Sequence, residues 1–379
     1  PGMKVIKNKD GVRNSHTSHA EVMFSLDGKP QENAGCVIGA ALCYSGNYKL
    51  RIDTHDDEYH RFFAGINEEN SAYSLKKDEI FRTPELALTY SNEGLSGSSR
   101  NFHRWARLHK LAHGTVSRKI LLNSWEGVYF DVNQAGMDQM MSDIASMGGE
   151  LFVMDDGWFG DKYPRKNDSS SLGDWVVDKN KLPNGIEGLL KDAQKNGVKF
   201  GIWIEPEMAN TTSEFYEKHP DWVIKAPERD VVQGRGGTQV VLDLANPQVQ
   251  EFIFKIVDDL MSNYPEIDYI KWDHNKYVTE AVSPRTGRPA VHNQTLAVYR
   301  IFTDLKAAHP GLEIESCSSG GGRIDLGILE VADRVWASDC VDPVERADIQ
   351  RYTSLLVPPE MIGEHVGASP AHSTHRATS

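Results

Sequence analysis

The chain has 379 residues, of which 39% are hydrophobic and 25% are charged, and its formal net charge at pH 7 is −13. These values are typical of a globular protein with one or two domains. The negative charge argues against a nucleic-acid partner, because a polyanion is bound by a basic patch. No apolar run approaches the roughly 20 residues that a membrane-spanning helix needs.

The first 117 residues are predicted to form an antiparallel β-sandwich, followed by a linking helix. Short runs of β-forming residues alternate with turn residues, at a spacing typical of an antiparallel sandwich. The predicted linking helix is "SSRNFHRWARLHKLAH". The β-like runs are "AEVMFSL", "CVIGAALCYSG", "YKLRIDTH" and "HRFFAGIN".

Residues 118–379 alternate between strand and helix patterns, which indicates a parallel sheet. The clearest helix begins at Asn246, a capping residue, with Pro247 at the first helical position. Eight strands over about 250 residues predict a (β/α)8 TIM-type barrel. An open doubly wound sheet is the alternative, although the chain has neither GxGxxG nor GxxxxGK[ST] at a strand–helix turn. The predicted strands are "LLNSWEG", "LFVMDDGW", "FGIWIEPE", "QVVLDL", "YIKWDHN", "EIESCSSGG", "RVWASDC" and "MIGEHVG".

Carboxylates and tryptophans cluster at the ends of these predicted strands, where a barrel carries its chemistry. Carboxylates bind sugar hydroxyls strongly, and aromatic faces stack on the apolar face of a pyranose. Two carboxylates can also cleave a glycosidic bond. The pattern therefore predicts a sugar site. The strand-end residues are Trp125, Glu126, Asp155, Asp156, Gly157, Trp158, Trp203, Glu205, Glu207, Asp243, Lys271, Trp272, Asp273, Cys317, Gly320, Ser338, Asp339 and His365.

A series of motifs runs in order through nearly the whole chain. They are "VRNSHTSHAEVM", "GAALCYSGNYKLRI", "LFVMDDGWFG", "LGDWVVDKNKLPNGI", "FGIWIEPEM", "YIKWDHNK", "ESCSSGGGRID" and "WASDCVDP". These motifs resemble glycoside hydrolase family 36, the large microbial α-galactosidases. The resemblance implies that residues 1–117 are the C-terminal part of an N-terminal β-sandwich domain plus a linking helix. It also implies a retaining mechanism on terminal α-linked galactose, without a metal or an organic cofactor.

The resemblance implies roles for individual residues. Asp273, in the KWD motif, matches the nucleophile, and Asp339, in the WxSD motif, matches the acid/base. Asp155 and Asp156 match the pair that binds galactose hydroxyls. Further substrate contacts are implied for Trp203, Lys271, Asn275, Cys317, Gly320 and Arg235, the last with two extra residues between it and the next strand.

The residues around these positions allow further expectations. Lys271 projects to the same side of its strand as Asp273, so its charge should favour the ionised carboxylate. Trp272 projects to the opposite side and is predicted to pack among helices. Glu205 and Glu207 are predicted to make structural hydrogen bonds rather than to act in catalysis. The 14 histidines show no HExxH pattern, which argues against a metal site.

Three functions remain open at this point. The first is an α-galactosidase acting on melibiose or raffinose. The second, in the same fold, is an α-N-acetylgalactosaminidase or a raffinose-synthase-like transferase. The third is an inactive sugar-binding protein, against which the presence of both Asp273 and Asp339 argues.

The cysteine spacing indicates the compartment of the protein. Cys36, Cys43, Cys317 and Cys340 have no CxxC spacing, which indicates a reducing compartment and a cytoplasmic location.

The chain ends indicate a fragment. The chain starts with Pro-Gly and ends on "HSTHRATS". We therefore expect a barrel, residues 118–379, that lacks its last helix and is not followed by the C-terminal β-domain of the family. The resemblance implies a homotetramer for the full-length protein.

Overall fold

The computed structural model describes residues 2–55, 59–69 and 71–364 of the chain. His365, in the predicted eighth strand, lies outside the described residues. The C-terminal stretch in which we expect no barrel helix lies outside them too. The chain divides into two compact units, one of Pro1–Ser117 with Ser316–Ser379 and the other of Arg118–Glu315. None of the helices in the described ranges is long and apolar enough to cross a membrane.

The N-terminal part consists of two three-stranded antiparallel sheets and a helix, as the sequence predicts. The strand orders are β1-β4-β5 and β2-β3-β6. A core of Ala20, Leu42, Tyr44, Tyr48 and Leu50 is buried in this part of the chain. The elements are β1 (Gly2–Lys7), β2 (Glu21–Ser25), β3 (Val37–Cys43), β4 (Tyr48–Thr54), β5 (His60–Ile66), β6 (Glu85–Ser91) and α1 (Gly94–His109).

Strands and helices alternate in the second unit. Strands β7, β8, β9 and β12 lie side by side in parallel, and β15 follows β12 in the strand order. All four residues of β8 are buried, as expected for a parallel strand with both faces covered. The elements are β7 (Leu121–Asn123), α2 (Trp125–Val128), α3 (Gln134–Ser146), β8 (Leu151–Met154), α4 (Gly185–Asn196), β9 (Lys199–Ile204), β10 (Met208–Asn210), α5 (Glu214–Lys218), β11 (Gln239–Val241), α6 (Pro247–Asn263), β12 (Ile267–Trp272), β13 (Val282–Ser283), β14 (Arg288–Pro289), α7 (Val291–Ala308) and β15 (Glu313–Ser316).

The clearest predicted helix is confirmed as α6. The side chain of Asn246 accepts a hydrogen bond from the backbone N–H of Gln248 at 3.1 Å, and Pro247 occupies the first turn. The apolar face of α6 is buried because its residues recur at helical spacing. These buried residues are Val249, Ile253, Val257 and Met261.

The prediction that "QVVLDL" is a barrel strand is wrong. Only Gln239–Val241 is extended, and β11 pairs antiparallel with β10. The backbone N–H groups of Leu242 and Asp243 donate to the carbonyls of Glu207 and Trp222 instead of to a barrel neighbour. The third and fifth predicted strands, β9 and β12, therefore pair directly with each other. The apolar run predicts a strand of the parallel sheet, but hydrophobicity alone does not identify the partner strand.

The C-terminal segment adds β16 (Arg334–Trp336), α8 (Pro343–Thr353) and β17 (Ile362–Gly363), with β16 and β17 parallel. Asp342 caps α8 by accepting the backbone N–H of Val344 at 2.9 Å. The antiparallel sheets followed by a parallel sheet with helices confirm the predicted fold class, a TIM-type barrel after β-sandwich strands. In the described ranges, the parallel sheet contains β7, β8, β9, β12, β15, β16 and β17.

Candidate active site

The carboxylate of Asp273 lies at the end of β12 and accepts hydrogen bonds from three N–H groups. Its Oδ1 accepts the backbone N–H of His274 at 2.8 Å. Its Oδ2 accepts Nδ2 of Asn275 at 2.7 Å and Nε1 of Trp203 at 3.2 Å. Hydrogen-bond donors favour the ionised form of a carboxyl group. The three donors therefore fix the orientation of the Asp273 carboxylate at the end of β12.

Asp155 forms a buried ion pair with Lys271 between the ends of β8 and β12. Nζ of Lys271 lies 2.8 Å from Oδ2 of Asp155, and Nδ2 of Asn123 donates to the same oxygen at 2.7 Å. This ion pair compensates the charge of Asp155 from a strand end two places along the sheet. The effect of the Lys271 charge on the ionised form of Asp273 stays a prediction.

Asp156 is paired with Arg165 in a bidentate arrangement that is buried on both sides. Nε of Arg165 donates to Oδ1 of Asp156 at 2.9 Å, and Nη2 donates to Oδ2 at 2.7 Å. Burial raises the pKa of Asp156, and the neighbouring guanidinium opposes that shift. Nη1 of Arg165 also donates to the carbonyl of Ser170 at 2.8 Å. The guanidinium thus links the end of β8 to the loop that follows it.

The indole of Trp203 supports Asp273 from within the protein. Trp203 is 2% exposed, and its ring lies nearly parallel to that of Phe159, with centroids 6.2 Å apart and planes 11° from parallel. Trp158 Nε1 donates to the backbone carbonyl of Trp203 at 3.0 Å. The aromatic packing fixes the direction of the Trp203 N–H toward the carboxylate.

Glu205 lies behind Asn275 and is almost completely buried. Its Oε1 accepts the backbone N–H of Asn275 at 2.5 Å and Nε2 of Gln239 at 2.9 Å. Burial, followed by the negative charge of Asp273, raises the pKa of Glu205 to about 8. The predicted structural hydrogen bonds of Glu205 are present, but they connect directly to a residue that donates to Asp273.

Trp272 and Glu207 make the structural contacts that the sequence predicts. Trp272 is fully buried, and its Nε1 donates to Oε1 of Glu207 at 2.8 Å. Its ring packs edge-on against Phe302, with centroids 4.6 Å apart. Alternation along β12 therefore sends Trp272 into the packing between sheet and helix.

Arg235 lies in a short 3-10 turn before β11, with its side chain 46% exposed. Its Nε is 3.5 Å from Oδ2 of Asp168, and Oδ1 of Asp168 is 3.7 Å from Nη2 of Arg165. The two charges connect the turn to the Asp156–Arg165 pair. Gly236 and Gly237, which follow Arg235, both have positive φ and form this turn.

Asp339 belongs to the other unit and lies just after β16. Its Oδ1 accepts Nε1 of Trp336 at 2.7 Å. Gly320 has φ of +82°, and a Cβ at this position would lie 2.7 Å from the backbone nitrogen of Asp339, so the loop around Gly320 packs directly on Asp339. Cys317 is buried at the start of that loop.

Residues of the N-terminal part hold this loop. Nη2 of Arg13 donates to the carbonyl of Ser318 at 3.2 Å, and Nε2 of His16 donates to the carbonyl of Ser319 at 2.7 Å. Nη2 of Arg13 also lies 3.1 Å from Nδ1 and 3.0 Å from Nε2 of the His16 ring. Two segments distant in the sequence are therefore joined beside Asp339.

The candidate residues form two groups. Six of them lie at or just after the ends of β8, β9 and β12, where Asp155 contacts Asp156 and Lys271, and where Trp203 and Asn275 donate to Asp273. Arg235 connects to this group through Asp168, and Cys317, Gly320 and Asp339 form the second group. The strand-end pattern of the sequence does not predict Arg165, Asn123 or the position of Glu205 beside Asn275. The one signal for Arg165 in the sequence is its place in a loop after two adjacent aspartates, because a buried aspartate needs a compensating positive charge.

Residues 80–379 match the melibiase family, and residues 1–76 match the N-terminal domain of glycosyl hydrolase family 36. The chain belongs to family 36, the melibiases. The resemblance identified from the motifs is thereby confirmed, and the N-terminal match lies in the part of the chain that folds as antiparallel sheets.

Relatives in this family include α-galactosidase C of Emericella nidulans, which is 40% identical over 378 residues, covering 97% of this chain and 50% of the relative. α-Galactosidase AgaA of Geobacillus stearothermophilus is 40% identical over 355 residues, covering 92% and 48%. The crystal structure of AgaA superimposes with a TM-score of 0.94 at 38% identity, covering 100% of this chain and 52% of AgaA. A variant of AgaA in complex with raffinose gives a TM-score of 0.93 at 37% identity, with the same coverage. The chain spans about half the length of the curated relatives it matches.

Proposed function

We propose that the full-length protein is a retaining α-galactosidase that hydrolyses terminal α-linked galactose from oligosaccharides such as melibiose and raffinose. The observation that carries this proposal is the Asp273 carboxylate, which accepts three N–H donors beside the Asp155–Lys271 ion pair. Membership of the melibiase family and the complexes of AgaA variants with raffinose and stachyose support the substrate class.

Asp273 is the nucleophile in this mechanism. An oxygen of its carboxylate attacks the anomeric carbon as the bond to the leaving sugar breaks, which gives a covalent galactosyl-enzyme ester. Asp339 is the acid/base. It first donates its proton to the leaving oxygen and then removes a proton from the water that hydrolyses the ester, which returns both carboxyl groups to their starting states.

Asp155, Asp156, Lys271 and Asn275 are proposed to bind galactose hydroxyls. Ion pairing fixes both carboxylates of the pair Asp155–Asp156, and each retains oxygen lone pairs that can accept hydroxyl hydrogens. A fixed acceptor discriminates between the two epimers at the 4-hydroxyl, because the wrong epimer leaves a buried group unpaired at a cost of about 1–3 kcal/mol. Arg235, Cys317 and Gly320 are proposed as further substrate contacts, and Trp203 as a contact that also donates to Asp273.

Turnover of p-nitrophenyl α-galactoside and melibiose by the wild-type protein and the Asp273→Asn and Asp339→Asn variants tests the proposal. We expect Asp273→Asn to lose turnover of both substrates. Asp339→Asn should lose far more activity on melibiose than on p-nitrophenyl α-galactoside, whose leaving group needs little protonation.

Three other results would point elsewhere. Preferential cleavage of an α-N-acetylgalactosaminide would favour the amino-sugar hydrolase, and galactosyl transfer to a sugar acceptor in preference to water would favour the transferase. Binding of galactose without turnover of any α-galactoside would favour the sugar-binding protein.

A further inference from the structure

Three buried aspartates at the ends of β8 and β12 are compensated. Asp155 is paired with Lys271, Asp156 with Arg165, and Asp273 accepts three N–H groups. Glu205, just after β9, differs from Asp155 and Asp156 because it forms no ion pair with any described residue. It is 1% exposed, and its Oε1 accepts the backbone N–H of Asn275 and Nε2 of Gln239, with the side chain of Asn275 as a further hydrogen-bond partner of the carboxyl.

The amide of Gln239, which is bonded to Glu205, has an unused acceptor. Nε2 of Gln239 donates to Oε1 of Glu205, while Oε1 of Gln239 is buried and accepts no hydrogen bond from the described residues. A protonated carboxyl group carries an O–H donor, whereas a carboxylate carries none. A neutral Glu205 therefore brings a donor to a buried site in which an amide oxygen lacks one.

We propose that Glu205 is a neutral carboxylic acid in the working enzyme and acts as a positioning residue for the nucleophile. Its carbonyl oxygen holds the backbone of Asn275, and the side chain of Asn275 donates to Asp273. This inference rests on the proposed role of Asp273. A second negative charge in this position would be buried without a counter-ion and close to the charge of Asp273, which is strongly unfavourable.

The charges that face Glu205 determine how it titrates. Asp273, at the end of β12, opposes ionisation of Glu205, whereas Arg165, in the loop after β8, favours it. Burial and Asp273 outweigh the arginine, in agreement with the pKa of about 8. Ionisation of Glu205 at alkaline pH should therefore place two like charges together and disturb the geometry of Asn275.

Infrared spectroscopy of the full-length protein tests this inference without using its activity. Burial raises the pKa of Glu21 to about 8 as well, so Glu21→Gln serves as the background for the measurement. In that background the carbonyl band of a protonated carboxyl should be present at about pH 6 and decrease with a midpoint near pH 8, and the decrease should be missing once Glu205→Gln is added. Adding Glu207→Gln instead is the matched control, since Glu207 is equally buried but bonded to Trp272, and it should retain the decrease near pH 8. An equal decrease near pH 8 with and without Glu205→Gln, or a Glu205 band that is lost by about pH 5, would overturn the inference.

Kinetics then separates positioning from a purely structural role. Glu205→Gln mimics the neutral acid, so its kcat/KM at about pH 6 should fall less than about tenfold, and its activity at about pH 9 relative to pH 6 should exceed that of the wild type. Glu205→Ala removes the acceptor for Asn275 and should lower kcat by about a hundredfold or more at every pH. Equal losses for the glutamine and alanine variants at all pH values would contradict the inference. If the wild type cleaves no α-galactoside, the proposed function fails, whereas the infrared result still decides the state of Glu205.

Discussion

Each aspartate at the candidate site depends on a particular partner residue. Asp155, Asp156 and Asp273 are all shielded from water, and a carboxylate in such a place needs a counter-charge or several donors. Lys271, Arg165 and the Trp203 and Asn275 side chains supply them. The same contacts that compensate these charges also fix the orientation of the carboxylates.

The Asp156–Arg165 pair allows a prediction about stability. Arg165→Met should lower the free energy of unfolding by about 3–5 kcal/mol, because it leaves a buried carboxylate without its partner. Lys162→Met is a suitable control, since it removes an ion pair between exposed Lys162 and Glu217 and should cost less than about 1 kcal/mol. Chemical denaturation followed by tryptophan fluorescence measures both. Similar losses for the two variants would contradict the assignment of Arg165.

The indole N–H of Trp203 allows a prediction about catalysis. Trp203→Phe keeps an aromatic ring against Phe159 but removes the donor to Asp273. A hydrogen bond to a charged group contributes about 1.5–3 kcal/mol, so we expect kcat to fall roughly 10- to 100-fold with a smaller effect on the melting temperature. An unchanged kcat would mean that the N–H group does not support the nucleophile.

At the scale of elements, the ends of the parallel strands and the loops that follow them determine where the site residues lie. The ends of β8, β9 and β12 are adjacent because these strands are parallel neighbours, and this adjacency was predictable from alternating strand and helix patterns. The antiparallel β10–β11 pair was not predictable in the same way. Its residues are as apolar as a barrel strand, and only the long-range contacts with residues 207 and 222 exclude it from the sheet.

His16 joins the N-terminal part to the loop that packs on Asp339, and its removal should affect catalysis. His16→Ala removes the donor to the Ser319 carbonyl and should lower kcat on melibiose about fivefold, equivalent to one hydrogen bond of about 1 kcal/mol. His16→Asn, which keeps an N–H donor, should recover part of the loss. His60→Ala is the control, because His60 is exposed on β5 and contacts only Thr54 among the described residues. If His60→Ala is as damaging as His16→Ala, the loss reflects general destabilisation of the N-terminal sheets.

At the scale of the whole molecule, buried titratable groups make stability depend on pH. The pKa of Glu205 is raised from an ordinary value of 4.5 to about 8. A raised carboxyl pKa stabilises the fold fully below the ordinary value, and this contribution is lost as the pH rises through 8. The side chain introduced by Glu205→Gln does not titrate. The free energy of unfolding of this variant minus that of the wild type should therefore rise by a few kcal/mol from about pH 4 to about pH 9. Urea denaturation across this range measures the difference. A difference that does not change with pH would show that Glu205 is ionised in the folded protein.

The general plan of the molecule was predictable, and the compensation of its buried charges was not. Periodicity and helix caps such as Asn246-Pro247 identify the elements, because these signals are local. The pairing of Asp156 with Arg165 joins residues nine positions apart through a loop, and that of Asp155 with Lys271 joins residues 116 positions apart. Such pairs are determined by the path of the chain in three dimensions rather than by residue spacing.

The proposed role of Asp273 as the nucleophile is tested most directly by trapping the covalent intermediate. A fluorinated α-galactosyl fluoride should label the full-length protein with one galactosyl group, since the fluorine slows hydrolysis of the ester more than its formation. Peptide mass spectrometry should locate the label on Asp273, and Asp273→Asn should remain unlabelled while Glu205→Gln is still labelled. A label on Glu205 or on Asp339, or turnover with inversion and no covalent intermediate, would contradict the assignment of Asp273 as the nucleophile.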